Sequence, residues 1–267
     1  MYEAYWNLAE KPFMNTPDSR FLYFSRQHEE SLTRMLYAIT EDKGAMLLTG
    51  DYGCGKTLLS RTLLERLDPA RYDMALLPHP NLSAVEFLQE ILYQFGYESP
   101  RTENKAELLH LLNDCLLANH ARGRSTLILV DEAQMVIDKS TLEEIRLLLN
   151  FQRNRRFFLT LILMGQPEFM KTLEALPQLL QRLSVRYHLS ALSPEDTHAY
   201  LRRRLEIAGS RQEIFTSRAE DRIVEVSKGV PRSVNNVADM ALMVGFGQKA
   251  PVVDEEIVRQ VIDDMNA

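Results

Sequence analysis

The sequence predicts an α/β fold: a parallel five-stranded sheet between helices, followed by a small all-helical domain. Two observations carry this. Through residue 190, apolar segments alternate with helical ones, and the apolar segments are continuous rather than polar at every second position. Strands of that kind are buried on both faces, as in a parallel sheet covered by helices. After Leu192 no segment reads as a strand, and four helical segments follow. The expected domains are therefore 1–190 and 191–267.

Residues 1–27 are aromatic-rich and broken by Pro12 and Pro17, an irregular leader expected to pack on another part of the protein. SRQHEESLTRMLYAITE places Leu32, Met35, Leu36 and Ile39 on one helical face. AMLLTG is a short apolar strand ending in glycine, and TLLSRTLLERL is a helix stopped near Asp68 and Pro69. YDMALLPHP is a second strand ended by Pro78 and Pro80. Two helices follow, SAVEFLQEILYQFG and NKAELLHLLNDCLLANH, then a third strand, STLILVDEA. STLEEIRLLLNF is a helix whose Ser140 and Glu143 have the spacing of a capping box. FFLTLILMGQ is a fourth strand and VRYHLS a fifth. In the second domain Ser193 caps a helix with Pro194 at its first position, and Gly209 ends it. The helices TSRAEDRIVEVSKG, PRSVNNVADMALMVG and DEEIVRQVIDDM complete the chain.

Composition excludes several classes. Apolar residues at 45 % and charged residues at 25 % are those of an ordinary globular protein with a sizeable core. A net charge of −6 gives no bulk signal for nucleic-acid binding, although a local patch remains open. Cys54 and Cys115 are far apart and lack metal-ligand spacing, which argues against a disulfide framework. The N-terminus has no basic region followed by an apolar core, and FFLTLILM is too short to cross a bilayer. A cytoplasmic protein without direct membrane insertion is expected, peripheral at the inner membrane only through a partner.

GDYGCGKT, residues 50–57, satisfies G-x-x-x-x-G-K-[ST] between a strand and a helix. Gly50, Gly53 and Gly55 let the backbone curl so that the amides of Asp51, Tyr52, Cys54 and Leu58 can face one anion. The helix start adds its dipole. Lys56 is expected on the β and γ phosphates and the Thr57 hydroxyl on magnesium. LILVDEAQ delivers Asp131 and Glu132 to the carboxyl edge of the sheet. Asp131 suits magnesium through water, and Glu132 suits orienting and deprotonating an attacking water.

Three further features narrow the reading. Gln166 ends the fourth strand, where it can hold that water or meet the γ-phosphate. Arg182 and Arg186 precede the last strand, where an arginine can act on a neighbouring subunit's site. Arg232 lies in the first turn of a helix, a place the helix dipole disfavours for a cation unless it faces phosphate.

With these motifs the chain resembles the AAA+ ATPases, and more closely those of the ExeA type, the general secretion pathway protein A family. The leader YWNLAEKPFMNTPDSRFLYFSRQHEESL is similar to that family's N-terminal signature. LLTGDYGCGKT, LILVDEAQ, LILMGQPEF, LLQRLSVRYHLSAL and GVPRSVNNVADMAL follow in the family's order, so the resemblance covers essentially the whole chain. It implies a P-loop NTPase core, Walker A at Gly50–Thr57, Walker B at Asp131 and Glu132, sensor 1 at Gln166 and sensor 2 at Arg232. It further implies Arg182 as the arginine finger, ATP and magnesium as cofactors, a helical lid, and sites shared between subunits of a ring or filament. ATP hydrolysis would then assemble or remodel a protein partner, such as a secretion, pilus or envelope-polysaccharide apparatus.

Two departures matter. Where family members commonly have Asn-Pro after the second strand this chain has His79-Pro80, which puts the usual coupling of the Walker B glutamate in doubt. The longer secretion proteins carry a transmembrane segment and a peptidoglycan-binding domain; this chain ends at Ala267 with neither, so a direct role at the cell wall is not carried over.

Two alternatives stand beside this reading. One is a DNA-binding ATPase that guides transposition target choice, with Arg153, Arg155 and Arg156 as its handhold. The other is a nucleotide-gated scaffold with little turnover, supported by His79 alone. LRRRL on a lid helix reads as a solvated face, Cys54 as a small residue that fits its loop, and His110 and His120 as structural.

Overall fold

The computed structural model describes residues 1–97, 102–153 and 156–266, without the side chains of 153, 156 and 266. Its helices and strands, in chain order, begin with α1 (Arg26–Thr40), β1 (Ala45–Gly50), α2 (Lys56–Arg66), β2 (Tyr72–Leu77), α3 (Ala84–Gln94), α4 (Lys105–Ala121) and β3 (Ser125–Val130). Then come α5 (Lys139–Leu148), the two-residue antiparallel pair β4 (Gln152–Arg153) and β5 (Arg156–Phe157), β6 (Leu159–Gly165), α6 (Phe169–Glu174), α7 (Pro177–Leu180) and β7 (Val185–Leu189). The remaining helices are α8 (Pro194–Ile207), α9 (Ser217–Ser227), α10 (Pro231–Gly247) and α11 (Glu255–Asn266).

Contacts divide the chain into two compact units. One comprises Glu29–Asp51 and Ser60–Leu189, the other Met1–His28, Tyr52–Leu59 and Ser190–Ala267.

The first unit holds the expected five-stranded sheet, all parallel, in the order β2-β3-β6-β1-β7. Burial follows that order. Every residue of β1 and β6 is buried, as is all of β3 after its first residue, whereas the edge strands β2 and β7 are partly exposed. This is why AMLLTG and LTLILMG are apolar but for one buried threonine each, Thr49 and Thr160, whereas VRYHL alternates. Non-consecutive neighbours are joined by helical crossovers, so β1, β3 and β6 run the same way and their carboxyl ends share one edge. Leu47, Ile128, Val130, Leu161 and Leu163 pack with Phe87, Leu88, Leu112, Ile145 and Phe169 in a single core.

The second unit has a separate core of α8–α11 residues, Leu201, Ile223, Val237, Ala241, Leu242 and Val258 among them. The leader is part of it: Tyr2, Trp6, Leu8 and Phe13 are buried there. Trp6 Nε1 donates to the Leu242 carbonyl at 3.0 Å. Arg204, only 5 % exposed, donates to the Pro12 and Met14 carbonyls at 2.5 and 2.9 Å and to the Tyr200 hydroxyl at 2.6 Å. A buried guanidinium needs that many acceptors, and the leader carbonyls at Pro12 and Met14 supply two of them.

One expected cap is corrected. Helix α5 is capped not by Ser140 but by Asp138, which accepts from the Ser140 amide at 2.9 Å; Glu143 pairs with Arg146 instead. Aspartate is as good a cap as serine and stands two residues earlier, so the helix starts at Lys139. A capping box does form at Ser83 and Glu86, at the start of α3. Ser193 caps α8 through the Asp196 amide as expected. Among the described residues no helix is long and apolar enough to cross a membrane.

Candidate functional site

Candidate residues occur in both units. In the unit containing Tyr52–Leu59, the loop after β1 runs into α2 at Lys56. Gly53 and Gly55 have φ of +83° and +97°, a backbone that L residues resist. Alternating with Cys54 and Lys56, they form the concave run of backbone that turns successive amides toward one point. Space forbids a side chain at Gly53 as well: a Cβ there would lie 2.8 Å from Arg232 Cβ and 3.2 Å from Val230 Cγ1. Lys56 is 6 % exposed and Cys54 fully buried, and the first turn of α2 carries no acidic residue. A phosphate-sized anion fits such a start of an 11-residue helix.

Arg232 sits beside this loop. Its backbone amide donates to the Gly53 carbonyl at 3.3 Å. Its guanidinium lies 4.8 Å over the Tyr52 ring and donates to the Tyr52 hydroxyl. Helix α10 starts at Pro231 with Val230 as a cap that offers no side-chain acceptor, and the cation placed in its first turn rests on an aromatic face.

His28 holds the loop from the leader side. Its ring is 3 % exposed; Nε2 is 3.1 Å from the Cys54 carbonyl and Nδ1 is 2.7 Å from the Ser25 hydroxyl. A carbonyl can only accept, so Nε2 carries the proton and Ser25 donates to Nδ1. Burial pushes the His28 pKa below the usual imidazole range, which favours this neutral form.

In the sheet-bearing unit Gly50 closes β1, where a Cβ would lie 2.5 Å from the Leu189 carbonyl oxygen of β7. Asp51 follows, exposed. Asp131, 3 % exposed, directly follows β3, and its Oδ1 accepts from the Glu132 amide at 2.9 Å. Glu132 is left-handed (φ 50°, ψ 40°), a conformation disfavoured for a residue with a Cβ, and its carboxylate accepts from Gln134 Nε2. Gln134 Oε1 accepts from the Gln166 amide at 3.0 Å, at the end of β6. Asp131, Glu132 and Gln166 are thus brought together at the carboxyl edge of the sheet.

Arg182 and Arg186 differ. The Arg186 guanidinium donates to the Leu183 carbonyl at 3.1 Å and to the Leu180 carbonyl, closing the end of α7. Arg182 is partly exposed and, among the described residues, nothing accepts a hydrogen bond from its guanidinium. His79 is exposed, and among the described residues its ring has no hydrogen-bond partner. Arg155 lies outside the described residues, as do the side chains of Arg153 and Arg156. Sequence reasoning missed His28 and Gln134, both of which stand inside segments it singled out, FSRQHEESL and LILVDEAQ.

Comparison with known proteins decides the family. The family model described as an AAA domain matches residues 39–173, half of the chain. The chain belongs to the AAA+ ATPases. Within them it is of the general secretion pathway protein A type: it is 38 % identical over 250 residues to the general secretion pathway protein A of Aeromonas hydrophila. That match covers 93 % of this chain but 45 % of the relative, so the chain spans less than half of that protein's length. The ORC2 protein of Aeropyrum pernix superposes with a TM-score of 0.73 at 20 % identity, over 96 % of this chain and 71 % of that one. The RuvB Holliday junction branch migration motor of Thermotoga maritima does so with a TM-score of 0.60 at 16 % identity, over 91 % and 70 %. These two establish the fold of this AAA+ protein alone.

The residues suit a magnesium nucleotide. The loop is a cradle that a Cβ would fill, and Thr57 and Asp131 are hard oxygen donors. Magnesium keeps several waters and takes few protein ligands. Among the described residues no cluster of three or more His, Cys, Asp and Glu side chains could hold a metal by itself, and a magnesium held by phosphate and water does not need one.

Proposed function

We propose that this AAA+ protein binds ATP with magnesium and hydrolyses it to ADP and phosphate, and uses the cycle to assemble or remodel a protein complex. The geometry of the loop carries the reading: two left-handed glycines and a buried lysine at the start of α2, with Arg232 against the loop. Amides of residues 51–58 and Lys56 hold the phosphates; Thr57 and Asp131 hold magnesium, which supplies charge neutralisation at the β and γ phosphates. Glu132 takes a proton from the attacking water, Gln166 orients that water, and Arg232 meets the γ-phosphate. As the water oxygen bonds to the γ phosphorus, the bond to the ADP oxygen breaks.

The helical residues 191–267 would serve as the lid domain of that cycle. Arg182, whose guanidinium donors are not spent among the described residues as those of Arg186 are, is the arginine offered to a neighbouring subunit. Relatedness to general secretion pathway protein A directs the partner toward envelope or secretion machinery, with the protein in the cytoplasm.

Sizing the protein with and without a non-hydrolysable ATP analogue tests this. A shift to a ring- or filament-sized species with the analogue, absent in Lys56→Ala, is expected; a monomer under every condition contradicts it. A DNA arm runs alongside, and assembly that requires DNA would move the reading to a DNA-bound ATPase.

A further inference from the structure

The third residue after Asp131 has a geometry of its own. Gln134 lies in a short 3-10 turn (Ala133–Met135) just past β3. Its amide makes two hydrogen bonds of opposite sense: Nε2 donates to the Glu132 carboxylate, and Oε1 accepts from the Gln166 backbone amide at 3.0 Å. The orientation is fixed by chemistry. A backbone N–H can only donate, so the atom facing it is Oε1; an ionised carboxylate can only accept, so the atom facing it is Nε2.

Packing locks this position. A Cβ on Gly165 would lie 3.0 Å from Gln134 Oε1 and 3.5 Å from its backbone nitrogen, so the glycine before Gln166 makes room for the amide. Glu132 is held at its root as well: its amide donates to Asp131 Oδ1 at 2.9 Å, and its carbonyl accepts from the Met135 amide at 2.8 Å. His79, at the place where a polar partner for this glutamate is expected, makes no hydrogen bond among the described residues.

We propose that Gln134 is the positioning residue of the hydrolytic site: its side-chain amide clamps the Glu132 carboxylate to the backbone of Gln166 and so couples the base to the strand end that senses the γ-phosphate. The proposal rests on the reading of Glu132 as the base. Gln134 touches neither substrate nor the reacting atoms. It acts by setting where the Glu132 carboxylate points, and a displacement of Gln166 is passed to Glu132 through one rigid amide.

Two readouts on the full chain test it. The first needs no turnover: amide exchange by NMR without nucleotide. In Gln134→Leu the Gln166 amide is expected to exchange at least about tenfold faster while the interior of β6 is unchanged, and in Glu132→Ala the Gln134 side-chain amide protons exchange faster by a similar factor. Unchanged exchange at both positions overturns the clamp.

The second is steady-state hydrolysis. Gln134→Leu is expected to lower kcat about ten- to a hundredfold with nucleotide affinity within about twofold of wild type, a hydrogen bond to a charged group being lost. Gln134→Glu, which keeps an acceptor for Gln166 but loses the donor for Glu132, is expected to fall similarly. In a Glu132→Gln background Gln134→Leu is expected to add little, because its effect runs through Glu132. A wild-type kcat in Gln134→Leu, or a fall of equal size in the Glu132→Gln background, overturns the proposal. Absence of hydrolysis in the wild type itself would overturn the reading of the site, while the exchange measurement still decides the clamp.

Discussion

Replacing His28 by leucine removes the two polar atoms that tie the leader to the phosphate loop while keeping side-chain bulk. The Cys54 carbonyl loses its bond at 3.1 Å and the Ser25 hydroxyl its bond at 2.7 Å, both at buried positions. Each orphaned group costs roughly 1–3 kcal/mol, so the variant should be destabilised by about 2–6 kcal/mol. The chain's single tryptophan, Trp6, is buried in the core of the unit that contains His28, so its fluorescence during urea unfolding reports on that unit. Nucleotide affinity should fall at least about tenfold, because the loop loses a fixed carbonyl.

The pH dependence has a definite sign. Burial depresses the His28 pKa in the native state, so below the ordinary value of about 6.5 the unfolded chain binds the proton more readily. This contribution is fully present above that value and is lost as the pH falls toward the depressed native value. The stability difference between wild type and His28→Leu should therefore shrink on acidification from pH 7. A difference under about 0.5 kcal/mol at pH 7, or one that grows on acidification, refutes the reasoning.

Other substitutions separate neighbouring roles. Gly53→Ala meets both a φ of +83° and Arg232 Cβ at 2.8 Å, and should cost about 2–4 kcal/mol and abolish binding of a fluorescent ATP analogue, read by anisotropy. Arg204→Ala leaves the Pro12 and Met14 carbonyls without their donor, and limited proteolysis should then cut within residues 1–25 at least about tenfold faster. Arg186→Ala should lower the unfolding midpoint by loss of two carbonyl contacts worth about 1 kcal/mol each, whereas Arg182→Ala should leave it unchanged and lower turnover only at concentrations where subunits assemble.

The strands were the most legible part of the fold. AMLLTG and LTLILMG are apolar but for one threonine each because β1 and β6 are interior strands, buried at every residue. Caps were legible where one candidate stood alone, as at Ser193, and misread where Asp138 and Ser140 competed two residues apart. The short helices α6 and α7 left no periodicity to detect, being six and four residues long.

In the candidate site, the residues singled out by type and spacing are Gly53, Gly55, Lys56, Thr57, Asp131 and Glu132, and the structure shows the left-handed glycines and the buried Lys56 and Asp131. His28 and Gln134 are not among them, because their partners are a carbonyl 26 residues away and an amide 32 residues away. Backbone partners leave no residue type in the sequence to point to them. The burial that lowers the His28 pKa also depends on packing that no local pattern encodes.

Phosphate release from ATP, followed over a range of protein concentrations in wild type, Lys56→Ala and Glu132→Gln, tests the central claim most directly. Magnesium-dependent release in the wild type that rises more than linearly with concentration is expected. Lys56→Ala should lose both binding and release, and Glu132→Gln should bind ATP with near-wild-type affinity yet release phosphate at least about a hundredfold more slowly. Release by Glu132→Gln at the wild-type rate, or no release by the wild type at any concentration, would contradict it.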